Sequence, residues 1–174
     1  LHDYRFLVGL SLDGPKNIHD RYRRTKGNNS VWEKVMSAAR TLKKHEVSFN
    51  ILCVVSKANV NHAERVYDFF LDQGFQHLQF IPALEADAGG KRASFSVNPS
   101  QYGNFLVELF EAWNDAPNRA SIRLFDALFS HHVRPPKGLC SHEKNCADYF
   151  LVEWNGDVYP CDFFVQEGRK LGNL

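Results

Sequence analysis

The sequence predicts an α/β protein whose first half is built from parallel βαβ units. Three short apolar runs, at residues 6–10, 49–55 and 77–84, alternate with two longer segments in which apolar residues recur at helical spacing. Because parallel strands need a long crossover between them, this alternation favours strands joined by helices. The second half adds a helical segment and then a cysteine-rich region with a β-hairpin.

The first strand is followed by a polar turn and an amphipathic helix. The apolar run at 6–10 meets Ser-Leu-Asp-Gly-Pro at 11–15, a turn signal typical of the end of a buried strand. Ser30 and Glu33 have the spacing of a capping box, which predicts that a helix begins there. The apolar stripe of that helix is Trp32, Val35, Met36, Ala39 and Leu42.

The second helix carries similar signals. Asn61 and Glu64 repeat the capping spacing, and Gly74 is expected to end the helix. Three strands alone would leave an open sheet edge, which natural proteins usually protect. We therefore expect further strands upstream, and both ends of the chain look cut from a longer protein.

The segment after the third strand is predicted to be a loop followed by helices. Residues 85–96 are rich in glycine, alanine and charge, which is typical of a loop. Asn98 and Pro99 suit the cap and the first position of a third helix. Residues 122–129 form a short apolar piece that we interpret as helical, and a proline-rich stretch ends it.

The last part of the chain is predicted to form a β-hairpin. Residues 150–154 and 157–159 have strand composition, and they flank Asn155 and Gly156. Asparagine and glycine tolerate the positive φ that a tight hairpin turn requires.

Composition excludes several classes of protein. The 174 residues are 44% hydrophobic, which is ordinary for a globular protein, and no apolar run approaches the ~20 residues of a membrane span. Lys+Arg is 21 against Asp+Glu 20, so no net field attracts nucleic acid or acidic lipid. Four cysteines are too few for a disulfide scaffold in a chain of this length.

Three of the four cysteines lie in one late segment. Cys140 and Cys146 flank a turn-like stretch, and the hairpin can fold Cys161 back toward them. Converging thiolates suit a soft metal or an iron–sulfur cluster, while zinc with His142 as a fourth ligand is the physical competitor. Structural or disulfide-bonded thiols remain a third interpretation. Cys53 lies mid-strand among apolar residues, where a cysteine usually acts as a small core residue.

A carboxylate directly follows this cysteine set. Asp162 lies between Cys161 and an apolar pair, where a shifted pKa would suit a general base. A carboxylate that caps backbone N–H groups at the hairpin exit is the plainer interpretation, and the residues alone favour it.

A second group of polar residues follows the first strand. Ser11 and Asp13 lie at the carboxyl end of a predicted parallel strand, which is where α/β folds place their sites. Ser11 could bind a ligand carboxylate by a hydrogen bond, and Arg23 could pair with it through its planar fork. An ordinary turn beside a solvated arginine explains the same residues, and without further information it is preferred.

Several motifs together resemble radical S-adenosylmethionine enzymes with a SPASM extension, and more narrowly the anaerobic sulfatase-maturating enzymes. The cysteine spacing with Asp162 is the most specific part of the resemblance, which spans nearly the whole chain. The other motifs are Ser-Leu-Asp-Gly-Pro at 11–15, Ile-His-Asp at 18–20, Arg23, Asn-Ile-Leu at 50–52, Leu-Gln-Phe-Ile-Pro at 78–82 and Tyr-Pro-Cys-Asp-Phe at 159–163.

The resemblance implies an architecture and an activity. Residues 1–90 would form the second half of a partial (β/α)6 barrel, 91–139 a helical linker, and 140–174 the start of a cluster-binding SPASM region. A radical made from S-adenosylmethionine at a 4Fe–4S cluster would take a β-hydrogen from a Cys or Ser of a sulfatase. Oxidation would then yield Cα-formylglycine. The implied partners are the sulfatase polypeptide and an electron-transfer protein such as flavodoxin or ferredoxin, in the cytoplasm.

The resemblance also assigns site residues. Ser11, Arg23 and Leu84 would contact S-adenosylmethionine. Asp162 would be the general base that deprotonates the substrate side chain. The ligands of the first auxiliary cluster would be Cys140, Cys146 and Cys161.

The chain departs from the family pattern in its cysteines. The CxxxCxxC motif of the radical-generating cluster is absent, and no cysteine follows Cys161 to complete the auxiliary clusters. We therefore expect this chain alone to be inactive and its function to belong to a longer protein. The alternatives are a SPASM enzyme that modifies another peptide, and a zinc-stabilised binding module without redox chemistry.

Overall fold

The computed structural model divides the chain into two compact units, Leu1–Asp126 and Ala127–Leu174. The described residues are 1–85, 90–116, 119–133 and 149–174, without the side chains of residues 131–133, 163 and 167.

The first unit is built on a parallel sheet, which confirms the predicted α/β arrangement. Its strands are β1 (Val8–Ser11), β2 (Phe49–Val55), β3 (His77–Pro82) and β4 (Ser121–Ile122), hydrogen-bonded in the order β1-β2-β3-β4. Every neighbouring pair is parallel. The sequence did not indicate β4, because a strand of two residues has no periodicity of its own.

Five α-helices occur in the described residues. They are α1 (Lys16–His19), α2 (Trp32–Lys44), α3 (Ala63–Asp72), α4 (Pro99–Asp115) and α5 (Arg123–Val133). Gly74 follows α3 with a φ of +65°, so the predicted stop is confirmed. Of the apolar piece predicted to be helical, residues 123–129 lie within α5, whereas Ile122 belongs to β4.

The capping box predicted for α2 is wrong. The helix begins at Trp32 with Val31 as its N-cap, and Val31 makes no side-chain cap bond. Ser30 Oγ accepts from the N–H of Trp32 at 3.3 Å rather than from Glu33, and the Glu33 carboxylate accepts a hydrogen bond from Lys16 Nζ at 3.2 Å. Both predicted capping groups thus have other partners.

The other two predicted helix starts differ in outcome. For α3 the N-cap is His62 rather than Asn61, again without a side-chain cap among the described residues. Asn98 caps α4 as predicted, and its side chain accepts from Gln101 N–H at 2.8 Å while Gln101 Oε1 accepts from Asn98 N–H at 3.1 Å.

The core of the first unit lies between the sheet and the helices. Tyr67 and Phe70 of α3 are fully buried, and ring contacts run from Phe70 through Phe80 to Phe105 of α4. Cys53 is also fully buried in β2, and burial raises the pKa of its thiol well above the usual value. The interpretation of Cys53 as a core residue is therefore confirmed.

The second unit contains a small antiparallel sheet. Its strands β5 (Leu151–Val152), β6 (Asp157–Tyr159) and β7 (Gly172–Asn173) pair in the order β5-β6-β7. Gly156 lies between β5 and β6 with a φ of +85°, which suits glycine at a tight turn.

Candidate functional site

The polar residues that follow β1 and β2 meet at the carboxyl edge of the parallel sheet. β1 ends at Ser11 and β2 ends at Val55. Because the strands are parallel, the segments that leave them lie at one edge, which is where α/β folds place binding sites. Ser11 is half-buried at the end of β1, and Asp13 is buried two residues further on.

Asp13 and Arg23 form a two-point ion pair at this edge. Arg23 Nε donates to Asp13 Oδ2 at 2.6 Å, and Arg23 Nη2 donates to Oδ1 at 3.2 Å. The N–H of Val54 also donates to Oδ1, at 2.9 Å. The Asp13 side chain is 10% exposed and that of Arg23 is 30% exposed, so the arginine is the more accessible partner.

Asn59 ties the ends of β1 and β2 together. Its side chain is fully buried, with Nδ2 donating to the carbonyl oxygens of Asp13 at 3.1 Å and Val54 at 2.9 Å. Its Oδ1 accepts from the N–H of Ser56 at 2.8 Å. A buried amide with both ends hydrogen-bonded fixes the backbone around it.

His19 fixes the same turn from the other side. Its ring is fully buried, and Nδ1 accepts from the N–H of Asp13 at 3.2 Å, so the neutral ring carries its proton on Nε2. Burial lowers the pKa of His19 below the usual value, against the opposing effect of the nearby Asp13 charge. Nε2 has no hydrogen-bond partner among the described residues.

Gly14 completes the turn. Its φ is +126°, and a Cβ there would lie 3.2 Å from Val66 Cγ2. Its carbonyl oxygen accepts from Trp32 Nε1 at 3.2 Å, which attaches the turn to the start of α2.

Leu84 lies two residues beyond β3, which ends at the same sheet edge. The preceding Ala83 donates its N–H to the carbonyl oxygen of Val55 at 2.9 Å, which holds this backbone beside the end of β2. The Leu84 side chain is 70% exposed. An apolar side chain so exposed at a sheet edge is available to a ligand.

The predicted cluster and base residues fall in the second part of the chain. Cys161 is half-buried just after β6, and its carbonyl oxygen accepts from the N–H of Phe164 at 3.0 Å. Asp162 is exposed and begins the 3-10 turn Asp162–Phe164. Cys140, Cys146 and His142 lie outside the described residues, and the residues inside that range contain no group of three metal-binding side chains.

Sequence reasoning singled out Ser11, Asp13 and Arg23 but did not assign a role to Asn59 or His19. The position of Asn59 could have predicted its place at this edge, because it follows an apolar strand at the carboxyl end, where α/β folds place their sites. His19 was noticed only within the Ile-His-Asp motif. Its burial depends on packing that spacing does not reveal.

Comparison with known proteins shows which enzymes this chain resembles. The family model described as the SPASM iron–sulfur cluster-binding domain matches residues 140–174. The whole chain is 40% identical to a cysteine-type anaerobic sulfatase-maturating enzyme of Clostridium perfringens, of which it covers 48%. Over its whole length the chain is therefore similar to about half of an anaerobic sulfatase-maturating enzyme.

The chain is also similar to other proteins with sulfatase-maturating activity. A serine-type enzyme of Bacteroides thetaiotaomicron is 36% identical over 97% of this chain and 45% of its own length. A solved structure described as native anSMEcpe with bound AdoMet and Cp18Cys peptide matches with a TM-score of 0.87. It is 39% identical, over 98% of this chain and 48% of that one. The chain thus spans about half the length of these sulfatase-maturating relatives. None of the helices in its described residues is long and apolar enough to cross a membrane.

Proposed function

We propose that the protein containing this chain oxidises an active-site Cys or Ser of a sulfatase to Cα-formylglycine by radical S-adenosylmethionine chemistry. The observation that carries the proposal is the match of this whole chain to about half the length of sulfatase-maturating enzymes, including a structure with AdoMet and a peptide bound. The match of residues 140–174 to an iron–sulfur domain favours clusters over a zinc module.

The proposed architecture assigns residues 1–90 to the second half of a partial (β/α)6 barrel. The sequential parallel order β1-β2-β3-β4 supports this, because neighbouring barrel strands follow one another along the chain. Residues 91–139 would be a helical linker and 140–174 the start of the SPASM region with its hairpin.

The proposed S-adenosylmethionine site uses Ser11, Arg23 and Leu84. The residues present fit this ligand: a hydroxyl and a guanidinium suit an amino-acid carboxylate, and an exposed leucine suits an apolar face. Ser11 and Leu84 follow strands that end at the same sheet edge, and Arg23 is attached there through Asp13.

The proposed auxiliary cluster uses Cys140, Cys146 and Cys161. Three thiolates match the ligand preference of iron–sulfur clusters, and the remaining ligands would come from elsewhere in the longer protein. When bound, S-adenosylmethionine and the clusters supply a carbon radical and an electron acceptor. The electron would pass onward to a protein such as a flavodoxin or ferredoxin.

Asp162 is the proposed general base. Converting the substrate group CH2–XH to CH=X removes one hydrogen atom, one proton and one electron. Because the bound groups would take the hydrogen atom and the electron, the proton from the thiol or hydroxyl would go to a carboxylate oxygen of Asp162. For cysteine, water then replaces sulfur, which leaves as hydrogen sulfide. Asp162 is exposed and directly follows the proposed cluster ligand Cys161, so it suits this task.

The experiment measures formylglycine in a sulfatase-derived peptide by mass spectrometry, after anaerobic reconstitution of the longer protein with iron and sulfide. Asp162→Asn is expected to lower the rate about a hundredfold or more, which is typical of a lost general base. Glu153→Gln, which removes a carboxylate from the same hairpin, is the matched control and should keep the activity. Full activity of Asp162→Asn would show that Asp162 is not the general base. If the unmodified protein formed no formylglycine in either Cys or Ser peptides, the proposed function would be wrong.

A further inference from the structure

We propose that Asp13 is a positioning residue for S-adenosylmethionine: its carboxylate orients the guanidinium of Arg23 for the ligand's carboxylate. The inference rests on the proposed function, which assigns Arg23 to that ligand. Asp13 itself would not contact the ligand, because its carboxylate is occupied by Arg23 and the backbone of β2.

The geometry of the pair leaves one end of the guanidinium available. Asp13 takes the side formed by Nε and Nη2, at 2.6 and 3.2 Å. Nη1 makes no hydrogen bond within the described part of the chain, and the arginine side chain is 30% exposed. A planar fork held on one side can present its other end to a second carboxylate.

Asp13 can act in this way because it is itself held in place. His19 Nδ1 accepts from its N–H at 3.2 Å, and Asn59 Nδ2 donates to its carbonyl oxygen at 3.1 Å. Val54 N–H donates to its side chain at 2.9 Å. An arginine attached to this fixed point loses its conformational freedom before the ligand arrives, which lowers the entropic cost of binding.

The charge of Asp13 and its role in orienting Arg23 predict opposite changes in ligand affinity when Asp13 is removed. The carboxylate offsets the positive charge of Arg23, so on charge alone its removal should tighten binding of an anionic group. If orientation dominates, its removal should weaken binding. An ion pair that only stabilises the fold would change the thermal midpoint and leave affinity unaltered.

The test uses the anaerobically reconstituted longer protein and its affinity for labelled S-adenosylmethionine, measured by equilibrium dialysis. Asp13→Asn keeps an oxygen for Val54 N–H but places an amide against Arg23. We expect Kd to rise roughly threefold to tenfold, because binding must then restrict the Arg23 side chain, which Asp13 no longer holds in one conformation. KM for S-adenosylmethionine should rise in parallel while kcat stays within about twofold.

A double-mutant cycle shows whether Asp13 acts through Arg23. Arg23→Lys should raise Kd about tenfold or more, because a point charge cannot replace the fork. Adding Asp13→Asn to Arg23→Lys should then change Kd by less than about twofold. Glu33→Gln, which breaks the exposed pair with Lys16, is the control and should leave Kd unchanged.

The outcomes separate this inference from the proposed function. If Arg23→Lys weakens binding while Asp13→Asn leaves Kd unchanged or lowers it, Asp13 does not position Arg23 but the ligand site stands. If Arg23→Lys has no effect, the assignment of Arg23 is wrong and this inference falls with it. Should Asp13→Asn not fold, Asp13→Glu replaces it. That variant keeps the negative charge but moves the carboxylate. If Asp13 orients Arg23, Kd should still rise; if only its charge matters, Kd should not change.

Discussion

The turn from Asp13 to His19 shows how single residues determine the geometry of the sheet edge. Asp13 holds Arg23, and the buried ring of His19 supports the backbone of Asp13. Sequence position indicated that Asp13 and Arg23 lie near a site, because they follow a parallel strand. It could not indicate that they pair with each other, since that contact depends on how the intervening turn folds back.

Gly14→Ala is expected to destabilise the protein by about 1–3 kcal/mol, because a non-glycine residue at this φ is strained and its Cβ would crowd Val66. Urea denaturation measures the free energy of unfolding. Gly103→Ala is the control: it lies within α4 with nothing within 4 Å of the new Cβ, so it should stabilise by about 0.5–1 kcal/mol. Equal effects of the two substitutions would contradict this account of Gly14.

His19 should make stability depend on pH. Burial lowers its pKa in the folded state, so the unfolded chain takes up the proton first as the pH falls. Its stabilising effect is therefore complete above about pH 6.5, the usual histidine pKa, and declines below it.

Denaturation curves between pH 5 and 8 measure this dependence. His19→Asn keeps an acceptor for the Asp13 N–H but cannot titrate, so the loss of stability on acidification should become shallower. His45→Asn, at an exposed position after α2, should retain the wild-type slope. A His19→Asn slope equal to that of the wild type would show that this ring does not contribute.

At the scale of helices and strands, the same spacing of capping residues gave a capping box in one helix and not in another. Asn98 and Gln101 form the capping box of α4 as a reciprocal pair. Ser30 and Glu33 have the same spacing, but Ser30 Oγ accepts from the N–H of Trp32 and the Glu33 carboxylate accepts from Lys16 Nζ. Spacing alone cannot distinguish these cases, because it does not show which other donors reach the two side chains.

Asn98→Ala is expected to cost about 0.5–2 kcal/mol, since it removes the side-chain acceptor for the N–H of Gln101. His62→Ala is the matched control, because His62 caps α3 without a side-chain hydrogen bond in the described structure. The two free energies of unfolding should therefore differ clearly. A His62→Ala cost as large as that of Asn98→Ala would contradict the role assigned to the capping box.

At the scale of the whole molecule, the sequence predicted the parallel α/β first half from its alternating periodicity. Motifs spread across the chain also predicted a resemblance to the sulfatase-maturating enzymes, and the comparisons confirmed that resemblance. The assignments of Cys140, Cys146, Cys161 and Asp162 stay predictions, because they depend on residues outside the described structure or on a bound substrate.

The most direct test follows one hydrogen atom. The reconstituted longer protein is given S-adenosylmethionine and a sulfatase-derived peptide that carries deuterium on Cβ of the target cysteine. The account predicts formylglycine in the peptide and deuterium in the 5′-deoxyadenosine, both detected by mass spectrometry. Formylglycine formed alongside 5′-deoxyadenosine without deuterium, or no oxidation of the peptide, would contradict it.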